Sequence, residues 1–120
     1  MEKMDVAQLS LAVKSVEGAA VVEANGELNL WTAEAFESVL KDAVERESNM
    51  VILDLTRVTI LDVGILKTLR QASVVLGPDK KLCAVACGEP RTVLEMTRFD
   101  DIINIYSSIE DVLAAGSSNF

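Results

Sequence analysis

Leu9, Leu11 and Val13 alternate with Ser10, Ala12 and Lys14, the two-residue period of a half-buried strand. Glu17-Gly18 supplies a turn, and Ala20 to Ala24 reads as a second strand, so the pattern predicts a hairpin that Asn25-Gly26 brings to an end. The period then changes. Phe36, Val39, Leu40, Ala43 and Val44 recur at helical spacing up to about Arg46, with Thr32 in the cap position. Glu34 falls in the first turn, where a carboxylate suits the positive end of the helix dipole. Trp31 and Phe36 have the spacing of a hydrophobic staple around that cap.

Met50 to Leu55 is almost continuously apolar, as a central strand covered on both faces requires. A loop, Thr56 to Asp62, leads to a helical pattern over Val63–Leu76 with Ile65, Leu69, Ala72 and Leu76 on one face, ended by Gly77-Pro78. Leu82 to Cys87 reads as the next buried strand, Gly88-Glu89-Pro90 opens a short helix, and Ile102 to Tyr106 makes a last strand. Ser107 and Glu110 have capping-box spacing for a terminal helix ending near Ala115. This order predicts an α/β fold with a single mixed sheet of about five strands and about four helices. One domain covers residues 6–115, and residues 1–5 and 116–120 are read as frayed ends.

Length agrees with that count, since 120 residues suffice for one core and not two. Composition mainly removes functions. The chain has no histidine, which excludes a His-based triad, a His general base and a His-ligated metal. The net charge of −8 speaks against nucleic acid, whose counterions must be replaced by a surplus of cations, and against anionic membrane surfaces. No apolar run approaches the ~20 residues that span a bilayer, and no signal peptide is visible. Cys83 and Cys87 form at best an incomplete zinc site and are read as two buried small residues on a strand in a reducing cytoplasm. The serines have no activating base, the glycines form no phosphate loop, and the carboxylates are scattered over helix surfaces. No catalytic, metal or cofactor site is implied.

What remains is the loop after the most buried strand, because α/β proteins place function at the carboxyl ends of their strands. Asp62 stands where an N-cap is expected, with structural capping and a role in recognition both open to it. Val63 offers no reactive group. Gly64 serves either tight packing or the close approach of a partner.

Gly26-Glu27-Leu28-Asn29, Val51-Ile52-Leu53-Asp54-Leu55-Thr56 and Val58-Thr59-Ile60-Leu61-Asp62 follow one another in an order and spacing that resembles the STAS domain family. Arg91-Thr92-Val93-Leu94-Glu95-Met96-Thr97 and Phe99-Asp100 are similar to the family's third helix and its exit. The resemblance runs from Leu9 to Ala115 and is to bacterial anti-sigma factor antagonists rather than to anion transporters. It implies a partner switch in the cytoplasm. The unmodified domain binds an anti-sigma factor that is also a serine kinase of GHKL type, and the kinase ends the contact by phosphorylating a Ser or Thr directly after the family's Asp. Asp62, Val63, Gly64, Ile65 and Lys67 are the partner-binding positions that this implies. The family's Asp-Ser-Ser/Ala-Gly-Leu is here Asp62-Val63-Gly64-Ile65-Leu66, so a residue without a hydroxyl occupies the phosphoacceptor position. The alternative within the family is a ligand-sensing or transporter-accessory domain that takes a lipid, a nucleotide or another small molecule. A homo-oligomer is compatible with either reading.

Overall fold

The computed structural model describes residues 2–46, 48–77 and 80–117. Six strands form one sheet in sequence order: β1 (Glu2–Val6), β2 (Leu9–Val16), β3 (Ala19–Leu28), β4 (Met50–Leu61), β5 (Lys81–Val85) and β6 (Asn104–Tyr106). The first three run antiparallel, and β3 to β6 are parallel. Helices α1 (Ala33–Val44), α2 (Leu66–Leu76) and α3 (Gly88–Met96) make the crossovers, and α4 (Ile109–Ser117) follows β6. Each crossover advances one strand in the same direction, so α1, α2 and α3 share one face of the sheet. There Phe36, Leu40, Leu69 and Leu94 meet Leu11, Val22, Leu53 and Leu55 in the main core. Each such side chain, fully buried, contributes roughly 1.5–3 kcal/mol. On the opposite face α4 sets Val112 against Val21, Ile52, Cys83 and Val85.

The strand beyond the expected five is β1, which takes up most of the 1–5 segment expected to fray: Glu2–Val6 pairs residue by residue with Val13–Leu9. Residues 118–120 lie outside the described residues, and α4 continues past Ala115 to Ser117. Three further expectations are corrected. Trp31 is 85 % exposed while Phe36 is fully buried, so the two form no staple. Ser108, not Ser107, caps α4 by accepting the Asp111 N–H at 3.1 Å, and Ser107 instead accepts from Arg91 Nη1 at 3.0 Å. Cys83 is buried on β5, where desolvation pushes its thiol pKa up against a smaller opposing effect of Lys81. Cys87 lies beyond the strand and is exposed.

The largest revision concerns β4. The segment Thr56–Leu61, read as loop, prolongs the strand, and nine β3 residues (Ala20–Leu28) face eleven of β4 (Val51–Leu61). Two register shifts absorb the difference, one after the Glu23–Asp54 pair and one after the Gly26–Val58 pair. Bulges of this kind break alternation without ending a strand. Leu55, Val58 and Leu61 accordingly point inward at intervals of three. Side chains pin the irregular stretch: Asp54 Oδ1 accepts from Thr56 N at 3.0 Å and Thr56 Oγ at 2.7 Å, and Thr59 Oγ donates to Gly26 O at 3.2 Å.

Candidate functional site

Leu28 and Leu61 are paired at the ends of the neighbouring parallel strands β3 and β4, and Asp62 N donates to Leu28 O at 2.9 Å. Two loops therefore leave the sheet side by side. The β4 exit turns at Asp62, whose extended backbone (φ −79°, ψ 140°) lets Oδ1 accept the Gly64 N–H at 3.0 Å. This is the capping role expected of Asp62. Val63–Ile65 forms one 3₁₀ turn before α2 begins, so the helix enters through a tighter turn than its pattern predicts. Ile65 points into the core, which leaves Asp62, Val63, Gly64 and Lys67 on the surface and Ile65 beneath them. Val63 is 61 % exposed. A Cβ on Gly64 would meet only Asp62 Oδ1, at 3.7 Å, so the glycine answers no packing need within the chain.

The β3 exit contains the residues that sequence reasoning missed. Leu30 and Trp31 are 81 % and 85 % exposed, although the backbone beneath them is tightly held. Thr32, the only buried polar residue among the described ones, accepts from Asn29 N at 3.0 Å and donates to Glu27 O at 2.8 Å. Its hydroxyl makes no cap bond to α1; it closes the loop instead. Asn29 Oδ1 accepts from Trp31 N at 2.9 Å and Thr32 N at 3.2 Å, a turn built from a side chain. One residue earlier in the frame, Gly26 has φ 126°, and a Cβ there would collide with the Gln8 carbonyl at the β1–β2 turn. Glu27 N donates to that same Gln8 oxygen at 2.8 Å. The available signal was the chain's one tryptophan standing next to a leucine in a loop.

The arrangement presents apolar side chains on a fixed backbone. Among the described residues no group of three or more His, Cys, Asp or Glu gathers in metal-binding geometry. No helix of the described chain is long and apolar enough to cross a membrane.

Comparison with known proteins gives the same direction. The chain is 28 % identical over 106 residues to the anti-sigma-F factor antagonist RsfB of Mycobacterium tuberculosis, covering 88 % of this chain and 87 % of RsfB. A crystal structure of an anti-sigma factor antagonist from Mycobacterium paratuberculosis superposes with a TM-score of 0.84 at 27 % identity, over 93 % of this chain and 97 % of that one. Unphosphorylated SpoIIAA, also an anti-sigma factor antagonist, shares the fold with a TM-score of 0.66 at 15 % identity, over 92 % and 98 % of the two chains. The STAS domain model matches residues 10–112, from the second strand into the terminal helix. With six strands, four helices and that match over most of its length, the chain belongs to the STAS domain family.

Proposed function

We propose that this chain is a non-catalytic regulator of the anti-sigma factor antagonist type. It binds an anti-sigma factor, of the serine kinase class with a GHKL fold, through the start of α2 and the neighbouring β3–α1 loop. One observation carries this reading: Leu30, Trp31 and Val63 are held largely exposed on pinned loops that leave adjacent strands. A large exposed apolar side chain on a fixed backbone is informative in a way that an exposed charge is not. Tryptophan is also the residue most enriched among those that dominate binding energy. The antagonist function of the two mycobacterial relatives supports the choice of partner, and a cytoplasmic location belongs to the same proposal.

Asp62 sets the turn, Val63 and Trp31 are the apolar contacts, Gly64 leaves room for the partner's backbone, and Lys67 lies one turn further along the exposed side. Valine cannot be esterified, so release of the partner does not run through phosphate at position 63. Control then lies with the partner or with its abundance. The small-molecule alternative gains no comparable support. The apolar groove between α1 and α2, lined by Leu40, Val44, Ala72 and Val75, holds about 190 Å³, below the ~300 Å³ at which ligand pockets begin.

The test is calorimetric titration of wild type and Val63→Asp against the anti-sigma factor captured from native extract. A second carboxylate beside Asp62 must be desolvated on binding, and we expect affinity to fall tenfold or more, which is about 1.4 kcal/mol. Thermal unfolding changes little, because a helix start tolerates acidic side chains. Equal affinity for a normally folded variant would remove the docking site from this loop. Incubation with the kinase and ATP should leave residue 63 unmodified in the wild type.

A further inference from the structure

The two edges of the sheet are unlike. β6 is three residues long and leads within two residues to α4, whose Ile109 and Leu113 pack with Tyr106 of β6 on the second core cluster. β1 has five residues, pairs with β2 on one side, and has no strand on the other among the described residues. Its outer backbone groups are a template for a further strand. Met4 and Val6 beside that edge are 37 % and 40 % exposed. They lie on the core face at the rim of α1, since Met4 pairs with the buried Leu11 and borders a small pocket beside Val39.

We propose that two copies of this chain form a symmetric dimer by antiparallel pairing of β1 with β1, centred on Met4. Charge selects that centre. In an antiparallel two-fold about Met4, Lys3 of each copy faces Asp5 of the other, Glu2 faces Val6, and Met4 meets Met4. A two-fold about Lys3 would oppose two lysines, and one about Asp5 would oppose two aspartates, both unfavourable for directly facing residues. A slip by one residue would also turn the apolar positions to the wrong face. Lysine on an edge usually discourages pairing; here the strand carries its own counter-charge two residues away, on the same face by alternation. Asp5 is already positioned, because Ser10 Oγ donates to its Oδ1 at 2.6 Å and leaves Oδ2 open. None of the salt bridges among the described residues uses Lys3. The pairing would join two six-stranded sheets into one and cover Met4 and Val6. A contact of five residues per copy is small, so the dimer is concentration-dependent rather than permanent.

Sedimentation equilibrium over a concentration series tests this with Lys3→Asp, Asp5→Lys and an equimolar mixture of the two. Wild type should move from monomer toward dimer. Each single variant, with unchanged circular dichroism, should self-associate at least about tenfold more weakly, because like charges now face each other twice. The mixture should recover dimer as a heterodimer. A second measurement is independent of charge. Opposed Cα atoms lie about 4.5–5.5 Å apart in an antiparallel pair, within disulfide reach, so Met4→Cys in a Cys87→Ser background should oxidise to a covalent dimer. A wild type that stays monomeric throughout, single variants that dimerise as the wild type does, or a mixture that does not recover would each overturn the proposal. So would a Met4→Cys chain that forms no cross-link.

Discussion

The β3–α1 loop fixes its backbone with two side chains, Thr32 and Asn29, and with the close approach of Gly26 to Gln8. The β4–α2 junction beside it has one side-chain bond, from Gly64 N to Asp62 Oδ1, added to the backbone bonds of Asp62 N to Leu28 O and Ile65 N to Asp62 O. Both loops end in exposed apolar residues, yet the heavier framework stands under the larger ones, Leu30 and Trp31, and the lighter one under Val63. The difference separates two kinds of residue. Gly26, Asn29, Thr32 and Asp62 hold the two loops in place, and Leu30, Trp31 and Val63 are the side chains they display to the proposed partner. Substitutions in the first group should be read in stability, and those in the second in affinity.

Gly26→Ala should have the largest effect. The added methyl collides with backbone, which cannot swing aside, at a φ of 126° that other residues rarely adopt. A loss on the order of 3 kcal/mol or more is expected, read as a lower midpoint in urea unfolding. Thr32→Val keeps the shape but removes the hydroxyl from a site that is 1 % exposed, leaving Asn29 N and Glu27 O without their partner. Its expected cost is about 1–3 kcal/mol, with increased hydrogen exchange confined to residues 27–32. Asp62→Ala removes an exposed cap and should cost about 1 kcal/mol; equal costs for the Thr32 and Asp62 variants would erase the contrast between the loops. Gly64→Ala is smallest. Its methyl meets nothing closer than 3.7 Å, so stability should change by less than about 1 kcal/mol, in the stabilising direction. A clear destabilisation would mean that Gly64 serves the fold after all.

Elements whose pattern reflects burial were legible in the sequence. The inward faces of α1 and α2, the apolar run of β4 and the Asp62 cap all follow from spacing and side-chain chemistry. The misreadings share a physical origin, in that backbone pairing was decided by a partner strand rather than by the local pattern. Glu2–Val6 is rich in charge and gains its order from β2. Thr56–Leu61 loses alternation to two bulges and still bonds to β3. At the proposed site, Asp62, Val63 and Gly64 draw notice in the sequence because they follow the most buried strand. Trp31 could not, because an aromatic residue before a helix packs inward as often as it is displayed, and only the Asn29 and Thr32 bonds decide which.

The separation of framework from display is tested most directly by Trp31→Ala, titrated calorimetrically against the captured anti-sigma factor and unfolded in parallel. Trp31 is 85 % exposed, so its loss should leave the unfolding midpoint nearly unchanged. Affinity should fall by about 2 kcal/mol or more, roughly thirtyfold, as expected for an aromatic anchor at the centre of an interface. Unchanged affinity with an intact fold, or a large loss of stability, would contradict the account.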